Sequence, residues 1–343
     1  MRVVLGATCL RPTGAGTSTY VRELLKALPP ERPEITAVVQ RDAVEMLPVG
    51  IDAKTVPVRS GARRAALNAI TRPRGELFHG LDVDLPIRSR GPAVATFHDL
   101  SVYDVPWAWP RLRARGEQLL LRHAARRADV IVAVSPFTAE RIKSRFGRDS
   151  VAIPIAPAPD LVPPTDDAIS AAKVLRQLPD TFILHVGTIE PRKNVERLAA
   201  ACAEVGAPLV LAGDDWERSR SLPGEVHRLG FVHRAELPAL YAAATATAYV
   251  SVYEGFGLPP VEAMACGAAV VCSPVASLRP LLGDDAAEWV RPTDVADIAR
   301  GLRLVIHDAA RRAELSVAGR SAVSVLSWED TACRTVDIWR SLI

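Results

Sequence analysis

Along the chain, short runs of apolar and β-branched residues alternate with stretches whose apolar positions recur every three or four residues. In the first half the runs are Val3–Ala7, Ile35–Val39, Lys54–Val58, Leu77–His79, Ala93–Phe97, Val130–Val134 and Val151–Ile153. In the second they are Phe182–Val186, Pro208–Ala212, Val226–Leu229, Ala246–Val250, Val270–Cys272 and Ala287–Val290. Strand and helix patterns in strict alternation predict parallel βαβ units with helices covering the sheet, an α/β fold. Each half forms one Rossmann-like, doubly wound parallel sheet in this reading. Between the halves, the prolines of 154–159 and 163–164 can continue neither a helix nor a central strand. The expected organisation is an amino-terminal domain over 1–157, a proline-rich linker over 158–167 and a carboxyl-terminal domain over 168–326. A closing helix over 327–343, with apolar positions at Ala332, Val336 and Trp339, is free to pack back on the first domain. Two such domains are expected to leave a cleft facing the carboxyl ends of both sheets, where ligands of such folds bind.

Composition narrows the class. With 343 residues, 49% hydrophobic and 24% charged, the chain is long enough for two cores and is neither disordered nor fibrous. No run of eighteen apolar residues occurs, and Met1-Arg2-Val3-Val4-Leu5 enters a strand directly, so a cytoplasmic protein is expected. Five scattered cysteines without a C-x-x-C pair indicate neither a disulfide framework nor zinc. The charge is uneven: residues 1–165 carry 24 Lys or Arg against 16 Asp or Glu, and residues 166–343 carry 18 against 23. A basic first half suits an anionic partner, such as a membrane surface or a phosphorylated acceptor, or is simply an arginine-rich surface. No nucleic-acid partner is expected.

The most informative segment runs from Tyr249 to Gly267, where Glu254-Gly255-Phe256-Gly257-Leu258-Pro259 leads from a strand into a helix containing Glu262. Backbone amides at a helix start attract phosphate, whereas a carboxylate beside them repels it and suits hydroxyl groups or positive charge. Glu254 and Glu262 therefore fit a sugar better than a second phosphate, although a glutamate in a first turn is favoured by the helix dipole in any case. A second strand, ending at Val186, leads through Gly187-Thr188-Ile189-Glu190-Pro191 to the adjacent cations Arg192 and Lys193. Fixed cations of this kind stabilise a departing diphosphate. In Thr13-Gly14-Ala15-Gly16-Thr17, small residues before a helix let amides approach a ligand, a weak signal that lacks both a third glycine and a P-loop lysine. The strand Ala93–Phe97 ends at His98-Asp99.

Together these strings resemble the retaining family 4 glycosyltransferases of GT-B fold, over nearly the whole chain. The resemblance implies that Glu262 holds the donor ribose hydroxyls, with Glu254 near the transferred sugar and its phosphate. Gly255, Phe256, Gly257 and Leu258 join them as the donor loop, and Arg192 and Lys193 serve as the cation pair. It further implies that Gly14 and Gly16 form the donor-phosphate loop, that His98 lies beside the donor sugar, and that Asp99 meets the acceptor or orients its loop. Val232, after Phe231, falls where relatives bind the nucleotide base. Thr188 stands where many relatives carry an arginine, a departure shared by a mannosyltransferase-like subgroup that reads Gly-Thr-x-Glu-Pro-Arg-Lys-Asn.

These implications define the expected chemistry as transfer of a hexose, mannose first, from a nucleoside-diphosphate sugar to a glycan, lipid-linked or small-molecule acceptor. Front-face attack would retain configuration, with no cofactor beyond the donor co-substrate and no metal. A UDP- or dTDP-sugar donor, or a nucleotide-sugar-binding protein without catalysis, is the alternative. An epimerase would need a Tyr-x-x-x-Lys pair and a dinucleotide fingerprint, which the chain lacks. Asp82-Val83-Asp84 imitates a metal-binding D-x-D but lies far in sequence from the cation pair. From Trp107 to Arg127, tryptophans precede a basic amphipathic segment; it suits a lipid headgroup layer at the inner face of the membrane, or a core-facing helix with a solvated basic face.

Overall fold

The computed structural model describes residues 2–14, 16–58, 75–87, 91–214 and 221–343. They group into two units, Met1–Ile155 with Ser327–Ile343, and Ala156–Leu326. The first unit contains β1 (Arg2–Gly6), β2 (Glu34–Gln40), β3 (Asp52–Val56), β4 (Leu77–Gly80), β5 (Ala93–Phe97), β6 (Val130–Ala133) and β7 (Val151–Ala152). They pair in parallel in the order β3-β2-β1-β4-β5-β6-β7. The second contains β8 (Ile183–Val186), β9 (Leu209–Ala212), β10 (Val226–Gly230), β11 (Ala246–Tyr249), β12 (Val270–Cys272) and β13 (Glu288–Trp289). Their order is β10-β9-β8-β11-β12-β13, again parallel throughout. Every strand read from the sequence forms, with ends displaced by no more than two residues. Continuous burial explains why: β4, β5, β9 and β11 are buried along their whole length, as strands covered on both faces must be.

Strand order reverses once in each sheet, between β1 and β4 and between β8 and β11. The loops leaving the carboxyl ends of those pairs run to opposite faces and open a crevice there. Helix boundaries follow local chemistry. The helix Pro136–Phe146 starts behind Ser135, whose Oγ accepts from the Thr138 amide at 3.0 Å, and ends at Gly147 with φ 65°. The terminal helix Trp328–Ser341 belongs to the first unit: Trp328 and Trp339 are buried, and Thr331 Oγ1 donates to the Pro154 carbonyl at 2.8 Å. Residues 158–165, expected as linker, group with the second unit. There Asp160 pairs with Arg234, and Thr165 caps the helix Asp166–Arg176.

Candidate functional site

At the β8/β11 reversal the sequence places two short loops against each other. After β8, residues Pro191–Lys193 make a single 3₁₀ turn, and Asn194 follows in the left-handed region with φ 61°. Asn194 is held there because its Nδ2 donates to the carbonyls of Val250 at 3.0 Å and Pro292 at 2.7 Å. The Val252 amide donates to the Arg192 carbonyl at 2.9 Å, tying the loop after β11 to the loop after β8. This framework buries Glu190, Lys193 and Glu254 and half-buries Arg192.

Glu254 is the hub. Its carboxylate accepts from Arg192 Nη1 at 2.9 Å, from Lys193 Nζ at 2.7 Å and from Tyr249 Oη at 3.0 Å. Lys193 Nζ also donates to Tyr249 Oη, and Arg192 Nε faces Glu190 Oε1 at 2.6 Å. Burial opposes the charge of Glu254, yet Arg192 and Lys193 overcome it and hold its pKa at about 2. Burial and the neighbouring guanidinium pull the Lys193 pKa down, against the attraction of Glu254. The Tyr249 ring stacks on His185 with centroids 5.6 Å apart, and burial lowers His185 to about 4, so that imidazole is neutral. The cluster fixes two cations, paired to Glu190 and Glu254, at the sheet edge where ligands of such folds bind.

The remaining residues of the glutamate motif lie on the helix Leu258–Ala265 and the turn before it. Gly257 has φ 98°, and a Cβ there would meet Leu278 at 2.8 Å, so the entry to this helix needs glycine. Glu262 is buried and accepts from Tyr241 Oη at 3.3 Å. Thr188 is half-buried on the loop after β8, Val232 is buried beyond β10, and Phe256 and Leu258 are buried. The structure thus joins Arg192, Lys193 and Glu254 by direct bonds, while Glu262 meets a different tyrosine.

The first unit has a different character at its β1/β4 reversal. Gly14 lies against Ser18, whose hydroxyl accepts from the Arg11 amide and donates to the Arg11 carbonyl, each at 3.0 Å. Gly16 caps the helix Thr17–Ala27 with φ 43°, and Ala15 falls outside the described residues. His98 Nε2 is 3.0 Å from the Leu81 carbonyl. A carbonyl only accepts, so Nε2 carries the proton in this contact. The Tyr20 ring meets His98 edge-on at 4.8 Å. Behind it, Trp339 Nε1 donates to His79 Nδ1 at 3.0 Å, His79 Nε2 bonds Thr96 Oγ1 at 2.9 Å, and Tyr20 Oη lies 3.3 Å from Thr96. Burial lowers His79 to about 3, which keeps this chain neutral. Asp99 accepts from the Ser101 amide at 2.8 Å and the Ser101 hydroxyl at 2.6 Å, so it shapes its own turn.

Comparison with known proteins joins the two halves. Residues 166–322 match the family model of glycosyl transferases group 1, and residues 14–157 match that of Glycosyltransferase Family 4. The chain is 32% identical over 285 residues to O-antigen chain mannosyltransferase B of Escherichia coli, covering 78% of this chain and 74% of that one. The chain belongs to glycosyltransferase family 4. It is also 34% identical over 197 residues to the serotype-specific mannosyltransferase WbdA of Escherichia coli, spanning 52% of this chain but only 24% of WbdA. Among solved structures, Anabaena HepE in complex with UDP and glucose superposes with a TM-score of 0.78 at 19% identity, covering 100% of both chains. The fold of this family 4 glycosyltransferase is therefore GT-B.

Sequence reasoning singled out Arg192, Lys193 and Glu254 but not Glu190 or Tyr249; the position of Tyr249 directly before the loop after β11 was the available signal. It also missed the Trp339–His79–Thr96–Tyr20 chain; a histidine and a threonine inside otherwise apolar strands marked two of its members. Asp82 accepts from the Val83 amide at 2.8 Å and Asp84 is buried. Among the described residues no group of three His, Cys, Asp or Glu side chains could hold a metal. No described helix is long and apolar enough to cross a membrane. The helix Arg111–Arg127 buries Ala114, Leu121, Ala124 and Ala125, yet Trp107, Leu112 and Leu119 are 63%, 84% and 64% exposed beside Arg111, Arg115 and Arg122.

Proposed function

We propose that this glycosyltransferase moves mannose from GDP-mannose to a glycan or lipid-linked acceptor with retention of configuration. The observation that carries the reading is the Arg192–Lys193–Glu254 cluster at the β8/β11 reversal. In this mechanism the cation pair faces the donor diphosphate. Lys193 spends two donor protons on Tyr249 and Glu254 and keeps its third for a phosphate oxygen. Glu254 fixes both cations in advance, so little reorganisation is needed as charge develops on the leaving group. The anomeric carbon–oxygen bond to phosphate breaks as the acceptor oxygen attacks the same face. The acceptor's proton passes to the departing phosphate oxygen, so no protein base, covalent nucleophile or metal takes part. Glu262 holds the ribose and Val232 lies by the base, while Gly14, Gly16 and His98 are the first-unit residues assigned to donor contact by their resemblance.

Mannose as the sugar rests on the likeness to O-antigen mannosyltransferases and on Thr188 in the Gly-Thr-x-Glu-Pro-Arg-Lys-Asn string. A UDP-sugar stands second, since HepE was solved with UDP and glucose. A melting-temperature panel of GDP, UDP, dTDP and ADP separates the donors, because only the matching base should raise stability strongly. Glu254→Gln and Lys193→Ala should each lose most transfer activity, and near-wild-type rates in both would refute the site. The exposed Trp107, Leu112 and Leu119 among arginines favour peripheral docking of the enzyme on an anionic membrane surface. Absence of co-sedimentation with anionic liposomes would remove that part of the reading.

A further inference from the structure

Away from the loops described above, the first unit carries a cavity of about 490 Å³ lined by Arg122, Ala125, Arg126, Arg145, Phe146 and Arg148. It forms where the helices Arg111–Arg127 and Pro136–Phe146 end, just before β6 and β7 begin. That is the opposite edge of the sheet from the Gly14 and His98 loops, which follow the carboxyl ends of strands. The cavity is therefore separate from the site of the proposed transfer reaction.

Its charge is not balanced locally. None of the four arginines makes an ion pair among the described residues, whereas three aspartates nearby in sequence pair with other cations: Asp104 with Arg141 at 2.6 Å, Asp149 with Lys143 at 2.7 Å and Asp129 with Arg127 at 3.7 Å. Attraction to a helix carboxyl end accounts for Arg148, which donates to the carbonyls of Ala125 at 2.6 Å and Ala128 at 2.8 Å. It does not account for Arg122 and Arg145. Their guanidinium carbons lie 5.9 Å and 4.3 Å from the centroid of one ring, Tyr103. That ring is fixed in turn: Tyr103 Oη donates to the Gln118 carbonyl at 2.8 Å, and Gln118 Nε2 donates to the Val102 carbonyl at 2.7 Å. Two guanidiniums are thus drawn to an aromatic ring beside two more, and the cavity's lining residues include no carboxylate among the described residues.

We propose that this cavity binds a phosphate-ester anion, with Arg122, Arg126 and Arg145 supplying forked donors and Arg148 closing the floor. Several like charges around one concave site call for a ligand of more than one negative charge, and the planar guanidinium fork matches phosphate oxygens two at a time. A soluble phosphate ester and a phospholipid headgroup share this chemistry.

The test is calorimetric titration of the intact chain with inorganic pyrophosphate at about 0.1 M salt, where unspecific surface attraction is damped. The expected result is a binding component that weakens about tenfold or more in Arg122→Gln/Arg145→Gln. It should persist in Arg192→Gln, which disables the proposed donor site instead, and in the charge-matched control Arg291→Gln/Arg303→Gln, whose exposed arginines lie on the second unit. Absence of that component, or equal loss in the charge-matched control, overturns the proposal. Phosphatidylglycerol vesicles then separate the sources. Co-sedimentation that falls in the cavity variant but not in the control assigns a headgroup, and pyrophosphate binding without vesicle capture assigns a soluble ester.

Discussion

The two strand-order reversals of this glycosyltransferase are built on one plan and finished with opposite chemistry. At β8/β11, two buried carboxylates, a buried lysine and a half-buried arginine are paired at distances of 2.6–2.9 Å. At β1/β4, a chain of neutral groups runs from Trp339 through His79 and Thr96 to Tyr20 and ends against His98. The contrast teaches that topology supplies the place and side chains supply the task. The second unit's reversal gathers charged side chains, whereas a neutral hydrogen-bonded chain backs the His98 imidazole at the first.

Four experiments bear on that contrast, beginning with the largest effect. Glu254→Ala leaves half-buried Arg192 and buried Lys193 beside a missing partner and should cost about 3–5 kcal/mol in urea unfolding. A cost below 1 kcal/mol would mean that the cluster is far less coupled than its geometry. Acid should strike both units through histidines. His79 and His185 have folded pKa values of about 3 and about 4, below the unfolded value of 6.5. Folding therefore favours their neutral forms, and their contribution is complete above pH 6.5. As pH falls below 6.5 each should lose about 1.4 kcal/mol per pH unit, until the folded pKa is reached. Glu254 is displaced the same way, from 4.5 to about 2, so its contribution survives to pH 4.5 and disappears only from there toward 2. Urea midpoints at pH 7 and 5 should differ in the direction the two histidines set, with lower stability at pH 5. Trp339→Phe keeps a ring but deletes the donor to His79, and should cost about 1–3 kcal/mol with no change in nucleotide affinity. Asp99→Ala removes one turn-forming carboxylate and should cost about 1 kcal/mol, measured the same way.

Much of this was legible in the chain because parallel strands buried on both faces write themselves as continuous apolar runs, as at Ala93–Phe97 and Ala246–Tyr249. The charged half of the site was legible for the opposite reason. Adjacent cations after one strand, and a glutamate beside glycines after another, are chemically improbable in a core unless something binds them. What stayed hidden depends on pairing across long sequence distance. Tyr249 and Lys193 are 56 residues apart, and Trp339 and His79 are 260 apart. Each of those residues taken singly reads as an ordinary core aromatic, an ordinary surface lysine or an ordinary strand-end histidine. The prolines of 158–165 misled for a local reason: they forbid helix and strand but do not forbid packing, and Asp160 and Thr165 fasten the stretch to the second unit.

The central claim is that Arg192 and Lys193 hold a diphosphate. Its most direct test is the affinity of the purified chain for GDP and for GMP, measured by calorimetry in wild type, Arg192→Gln and Lys193→Ala. The account predicts that wild type prefers the diphosphate by about tenfold or more and that both variants lose most of that preference while keeping their affinity for the monophosphate. An unchanged preference in both variants would contradict it.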